Sequence, residues 1–381
     1  MAMKKIKIKK RWLIPSVISI AMLAAYLVLT VIYDAIAASL PDQYSARKWS
    51  PDSKQYSQTS CFISENYNFS TDSVYQLRSA VDSALEQASI SKDENNPDSR
   101  LWIDAYSAET FIDVSSESCK IPVKAKADFC GGDFFYFHDF KYKSGYCFSE
   151  DDINSDRVVI DENLSWKLFG STDTEGMEIY INGITFKIAG TVGIDDDKVS
   201  ELTYGSDCRI YLPYSAYEKI YASSSLSADI QTTASLPITC YEIIMPSPVS
   251  KFGYKIIQEQ FEGQTDKISV IENSSRFSLR SMLGVMKSYG TRSVITNDIT
   301  YPYWENSARV VEDKLALILF FRIPLIAVPV IYVLVIIVIL WIKYFPTIRD
   351  FKNFADKLID IKRQKVYYKK YPERRRLNEK Q

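Results

Sequence analysis

The sequence contains one histidine, His138, inside an aromatic stretch. A lone histidine excludes zinc sites that need two, and a structural role is expected of it. No G-x-S-x-G elbow presents a serine nucleophile, and no G-x-x-x-x-G-K-[ST] loop cradles phosphates. Two acidic triplets, Glu150-Asp151-Asp152 and Asp195-Asp196-Asp197, offer carboxylates to calcium. Both lack the alternating ligands and glycine of an EF-hand, so they read as solvated loops. Six cysteines remain: Cys61, Cys119, Cys130, Cys147, Cys208 and Cys240. None has the C-x-x-C spacing of zinc or redox sites. An even number confined to the middle of the chain points to disulfides in an oxidising compartment, with buried thiols as the other reading. Spacing does not give their pairing. No catalytic residue, cofactor or metal is expected, and the chain is not read as an enzyme.

The elements around these residues are set first by charge and hydropathy. Of 46 basic and 47 acidic residues, residues 1–11 carry six basic and no acidic ones, and residues 343–381 carry 13 basic and five acidic. The remainder, 27 basic and 42 acidic, gives the middle a net charge of -15. Such asymmetry places the ends on one side of a membrane and the middle on the other. Trp12 to Tyr33 is an uncharged run of 22 residues. As a helix it spans about 33 Å, enough for a hydrocarbon core of about 30 Å. Ala35-Ile36-Ala37 offers a signal-peptidase site, but signal h-regions run about 7–15 residues, so an uncleaved anchor is expected. Ile323 to Ile342 is a second apolar run, extended outward by Leu315 to Phe321 and broken by Arg322. Arg322 either snorkels to the headgroups or faces a partner subunit. Pro324 and Pro329 are candidate kinks. Lys/Arg bias then puts both termini in the cytoplasm and residues 34–314 outside.

The tail carries its own pattern. Ile348, Phe351, Phe354, Ala355, Leu358 and Ile361 fall on one helical face, with Arg349, Lys352, Lys357 and Lys362 around it. A basic amphipathic helix of this kind lies on anionic lipid or docks on a partner. Nucleic-acid binding is not expected of a tail anchored this way.

The middle alternates strand and helix signals. Residues 40–60 read as a polar linker. Val74, Leu77, Val81, Ala84, Leu85 and Ala88 recur at helical steps after cap candidates Ser70, Thr71 and Asp72. Trp102 to Val114 and Arg157 to Asp161 are extended, and Glu162 to Phe169 is a helix stopped by Gly170. Asn182-Gly183 joins two β-rich runs as a hairpin. Arg209 to Leu212, Thr239 to Met245 and Ile268 to Ile271 are further strands, and Val249 to Phe261 is a further helix. This order predicts an α+β domain between two transmembrane α-helices.

Within that domain several short segments occur in a recognisable order. They begin with Gly132-Asp133-Phe134-Phe135, Lys143-Ser144-Gly145 and the Glu150 triplet. Val158 to Glu162, Lys167-Leu168-Phe169-Gly170 and Ile181-Asn182-Gly183 follow, then Phe186 to Val192 and Ile210-Tyr211-Leu212-Pro213. The series resembles the periplasmic core domain of MacB-type ABC transporter permeases, the family that includes FtsX. The resemblance implies a MacB-like periplasmic core between membrane helices, in a bacterial plasma membrane. Family permeases continue through a cytoplasmic segment into two further membrane helices, whereas this sequence ends after 39 tail residues. The expected function is a permease-like subunit of an ABC-type transport or mechanotransmission complex. Its implied partners are an ATP-binding subunit, other membrane subunits and the lipid bilayer. The tail residues Ile348, Arg349, Phe351, Lys352, Phe354 and Leu358 are the docking candidates. The alternative is a membrane-anchored binding or scaffold protein that meets an extracytoplasmic ligand or protein without transport.

Overall fold

A computed structural model describes residues 12–49, 56–92, 100–149, 155–194, 198–222, 235–264, 266–289, 295–296, 298–344 and 348–370. The basic run 1–11, both acidic triplets, most of the loop 222–236 and Arg374-Arg375-Arg376 lie outside these residues. The chain divides into two compact units, Val31–Phe320 and the remainder.

The first unit is built on a ten-stranded mixed sheet. Its strands are β1 (Tyr56–Ile63), β2 (Ile103–Ser116), β3 (Val123–Gly132), β4 (Lys141–Gly145), β5 (Arg157–Asp161), β6 (Glu178–Ile181), β7 (Ile184–Gly193), β8 (Cys208–Pro213), β9 (Cys240–Pro246) and β10 (Ile268–Glu272). The spatial order is β10-β1-β9-β2-β3-β8-β5-β7-β4, with β6 paired to β2 and β7. β3/β8 and β5/β7 are parallel, and the other pairs are antiparallel. The helices are α1 (Leu13–Ala38), α2 (Ser45–Trp49), α3 (Thr71–Gln87), α4 (Phe134–Phe137), α5 (Glu162–Phe169), α6 (Lys198–Tyr204), α7 (Ala216–Ala222), α8 (Phe252–Gln260), α9 (Leu279–Lys287), α10 (Tyr303–Tyr344) and α11 (Ile348–Lys370).

Local chemistry explains several of these elements. In α3 the periodic residues Val74, Leu77, Val81 and Leu85 are all buried, and the Ser70 N–H donates to Ser73 Oγ at the helix start. The Asp161 carboxylate caps α5 by accepting from the Leu164 N–H at 2.7 Å. Asn182 and Gly183 both take positive φ, and Ile181 pairs with Ile184 across the turn.

Strand alternation sorts the core onto two faces. At the β1/β9 end, Cys61, Ile63, Tyr241, Ile243 and Met245 face α3 and α8. Phe62, Cys240 and Ile244 face the other way, toward Trp304 at the start of α10. At the β3/β8 end, Ala125, Ala127, Phe129, Ile210 and Leu212 pack under α5 and α7.

One expectation changes here. The stretch read as a polar linker holds a one-turn 3₁₀ helix (Pro41–Tyr44), α2 and most of β1, because its polar side chains find buried partners. Helix α10 begins at Tyr303, well before the apolar run, since the sheet buries its first turns.

The second unit holds the apolar stretches of α1 and α10, and α11. Both α1 and α10 are long and apolar enough to cross a membrane, and only 11% and 6% of their apolar windows is buried. This exposure differs from that of a soluble protein's core helix, which is mostly covered. Helix α10 runs unbroken through Pro324 and Pro329. Ser16 Oγ and Tyr332 Oη are 2.9 Å apart, and Arg322 Nη2 donates to Tyr26 Oη at 3.4 Å. Ten residues forward on α1 thus matches ten back on α10, so the two helices pack antiparallel. The Arg322 guanidinium also lies 5.0 Å from the Tyr26 ring centroid, a cation–π contact.

Candidate functional site

The densest buried charge in the first unit gathers at Arg276. This residue follows β10 and is 3% exposed. Helix α10 presents Glu305, Arg309 and Glu312 at i, i+4 and i+7, one face of its first turns. Arg276 Nη1 and Nη2 donate to the two Glu305 oxygens at 2.6 and 2.8 Å, a bidentate fork. Its Nε donates to Glu312 Oε1 at 2.7 Å. Arg309 Nε donates to Glu305 Oε1 at 2.8 Å. Gln43, just beyond α1, completes the hub: its Oε1 accepts from Arg276 Nη1 at 3.1 Å and Asn273 Nδ2 at 3.0 Å. Burial alone would lower the Arg276 pKa, but the Glu305 and Glu312 carboxylates outweigh it and hold it raised.

The hub continues into the sheet. The Gln58 side chain of β1 accepts from the Ser45 N–H at 3.1 Å and donates to the Asp42 carbonyl at 2.8 Å. The Gln58 N–H donates to Ser274 Oγ at 2.8 Å. Segments that follow α1 and precede the apolar run of α10 are therefore fastened to each other and to β1.

A second polar cluster lies on the same sheet face. His138 is buried against the Phe134 and Trp304 rings, each centroid 4.4 Å away. Its Nε2 sits 3.0 Å from Glu242 Oε2 and its Nδ1 3.6 Å from Asp42 Oδ2. Neither nitrogen has hydrogen-bond alignment, so these contacts act as ion pairs. Ser60 Oγ donates to Glu242 Oε1 at 2.7 Å. Burial lowers the His138 pKa, but Glu242 and Asp42 more than offset that and raise it to about 9. The folded state therefore binds the proton more tightly than the unfolded chain, whose histidine titrates near 6.5. The His138 contribution is fully present below about pH 6.5 and is lost as pH rises through about 9. Denaturant titrations of the wild type and His138→Gln across this window should diverge at low pH and converge above it. Parallel curves would exclude the charged histidine.

Arg209 extends the cluster along β8. Its guanidinium stacks 4.4 Å from the Tyr303 ring and pairs with Asp128 at 3.4 Å. Tyr204 Oη donates to Asp161 Oδ2 at 3.0 Å. Burial pushes the Asp161 carboxyl up to about 6, against the pull of the Leu164 amide and Tyr204. These groups hold elements together, and none is arranged as a nucleophile with its base. Elsewhere a cleft of about 350 Å³ is lined by Tyr75, Tyr106, Phe135, Phe148, Tyr217 and Glu218, among others.

The residues singled out in the sequence are scattered. Cys61 and Cys240 are on neighbouring strands but opposite sheet faces, so no bond can join them. Cys130 and Cys240 each lie opposite Ser107, two strand spacings or about 10 Å apart, beyond disulfide reach. Cys208 lies on β8, Cys119 in the β2–β3 turn, and Cys147 beside Tyr142. Cys61, Cys119, Cys208 and Cys240 are free thiols in the structure, and burial pushes the Cys61 thiol up, toward inertness. Ile348, Arg349, Phe351, Lys352, Phe354 and Leu358 all fall on α11, with Lys352 and Leu358 exposed. His138 is buried. The sequence reading passed over Arg276, Gln43 and Glu242. The one available signal was the Glu305, Arg309, Glu312 spacing on a stretch that also carries Trp304, Ala308 and Val311.

A family model described as the MacB-like periplasmic core domain matches residues 17–237. The macrolide export ATP-binding/permease protein MacB of Chromobacterium violaceum is 29% identical over 116 residues, which is 30% of this chain and 17% of that protein. The match thus spans well under a quarter of that relative. The periplasmic region of MacB from Actinobacillus actinomycetemcomitans aligns at TM-score 0.36 and 14% identity, over 57% of this chain and 90% of that one. The extracellular domain of the ABC-type transporter YknZ from Gram-positive bacteria aligns at TM-score 0.36 and 10% identity, over 56% and 99%. The family model covers more than half of the sequence, and the chain belongs to the MacB-like periplasmic core domain family of ABC-transporter-type permeases.

Proposed function

We propose that this chain is a permease-like membrane subunit of an ABC-type transport or mechanotransmission complex, with ATP hydrolysed by a separate subunit. The chain itself is not an enzyme. Residues 12–33 and 315–342 cross a bacterial plasma membrane, both termini are cytoplasmic, and residues 34–314 lie outside. The antiparallel packing of α1 and α10 supports this topology, because two antiparallel spans return the chain to its starting side. The basic ends support the cytoplasmic assignment.

The Arg276 hub carries the mechanical reading. It fastens Gln43, which follows α1, to Glu305 and Glu312 of α10 and to the β10 end of the sheet. A shift of either helix extension is then passed to the sheet instead of being absorbed by a slack linker. Helix α11 docks on the ATP-binding subunit through the face that holds Phe351, Phe354 and Leu358.

The test is purification of the full chain from its native membrane in mild detergent, with partners identified by mass spectrometry. A nucleotide-binding protein in stoichiometric amount is expected, and deletion of residues 343–381 should reduce it to background. Recovery of the chain alone, or only with outer-face proteins, overturns the transporter reading. It would favour an anchored binding protein, for which the aromatic cleft at Tyr106 and Tyr217 is the ligand site.

A further inference from the structure

Helix α9 has three kinds of surface. Its sequence, LRSMLGVMK, contains two cations and no acid. Met282 is fully buried, and Val285 and Met286 pack with it against Val311, Leu315, Ala316 and Leu319 of α10 and against Tyr33 and Ala37 of α1. At about 100° per residue, Leu279 and Leu283 form the next strip around the helix. They are 63% and 41% exposed. Arg280 and Lys287 form the strip beyond, and both are exposed. Tyr33 Oη donates to the Phe277 carbonyl at 2.9 Å, which pins the start of α9 to the end of α1.

The position of this helix is set by what it touches. Leu315, Ala316 and Leu319 are the first residues of the long apolar run of α10, where Leu317 and Phe320 are already exposed. A helix packed there, with a bare leucine strip flanked by cations, meets the chemistry of a lipid headgroup layer: acyl carbon below and phosphate beside it. Water would leave Leu279 and Leu283 uncovered and the two cations unused.

We infer that α9 is an interfacial helix that lies in the outer headgroup layer, with Leu279 and Leu283 at the acyl boundary and Arg280 and Lys287 against lipid phosphates. This rests on α10 being a membrane helix. The helix then seats the base of the outer domain on the bilayer and makes its attitude sensitive to anionic lipid.

The test uses the full chain in nanodiscs that contain phosphatidylglycerol. The photocrosslinker p-benzoylphenylalanine replaces Leu283 in one sample, Ile331 in the middle of the α10 run in a second, and exposed Ile121 of the β2–β3 turn in a third. Adducts are read by mass spectrometry. Lipid adducts at 331 and 283, with yield at 283 about tenfold above that at 121, support the inference. Arg280→Gln and Lys287→Gln should each lower the yield at 283 by up to about fivefold in anionic discs and little in neutral ones. Lipid adducts at 331 without any at 283, or crosslinks from 283 to protein, overturn the inference and leave the membrane reading intact. No lipid adduct at 331 overturns both.

Discussion

Replacement of Arg276 by alanine destabilises the sheet domain by about 3–5 kcal/mol, the cost of breaking a buried ion cluster from one side. The size follows from what is left behind. Glu305 is 0% exposed and Glu312 5%, so two carboxylates lose their bidentate and single partners without gaining water. Arg309 still reaches Glu305 at 2.8 Å, so the loss falls on the contacts that Arg276 itself makes. Arg276→Lys keeps the charge and loses the planar fork, so it recovers part of the stability only. Arg276→Met combined with Glu305→Met and Glu312→Met removes the three buried charges and leaves only the partly exposed Arg309, so it should recover most of the stability lost in Arg276→Ala. The measurement is denaturant or thermal unfolding of the full chain in nanodiscs, followed by near-ultraviolet dichroism. A change under about 1 kcal/mol for Arg276→Ala would mean that the hub is no lock. The stable triple variant then separates stability from coupling, because it keeps the fold and lacks the charged latch.

Gly145→Val lowers stability by about 2–5 kcal/mol through two additive effects. Gly145 ends β4 at φ +61, where a β-branched residue is strained. A Cβ placed there would also lie 2.0 Å from the Ala189 carbonyl oxygen on β7. That carbonyl is fixed, since it accepts from the Tyr146 N–H at 3.0 Å. Backbone must move, and the β4/β7 edge of the sheet opens. Gly170 is the control. It ends α5 at φ +67 with open space around its Cβ position, so Gly170→Asn should cost about 1 kcal/mol or less. Equal costs for the two variants would show that conformation alone, without the close approach, sets the effect at Gly145.

Parts of this molecule were legible residue by residue because their causes are local. The two apolar runs announce helices that can cross a membrane by length alone. The Val74, Leu77, Val81, Leu85 spacing forms α3 because the period of the backbone helix turns those side chains to one side. Asn182-Gly183 forms the β6/β7 turn because those residues tolerate the positive φ that such a turn demands. The glycine-marked series from Gly132 to Pro213 has the same origin: its glycines sit where the backbone needs positive φ or has no room for a side chain, as at Gly145.

Only the tertiary structure decided the rest. Gln43 and Arg276 are 233 residues apart in sequence, and no local pattern marks either as a partner. Their contact depends on strand order, which places β10 beside β1. In the first turns of α10, Glu305, Arg309 and Glu312 interrupt the apolar pattern, so hydropathy alone gives no sign of their burial. In the folded chain Glu305 and Glu312 are buried there, paired with Arg276. The cysteines show the same limit from the other side. Their number is a sequence property, but alternation on a sheet sends Cys61 and Cys240 to opposite faces. Periodicity, length and turn chemistry act over a few residues and can be read directly. Which buried charge meets which is set by long-range pairing, and that exists only in the folded chain.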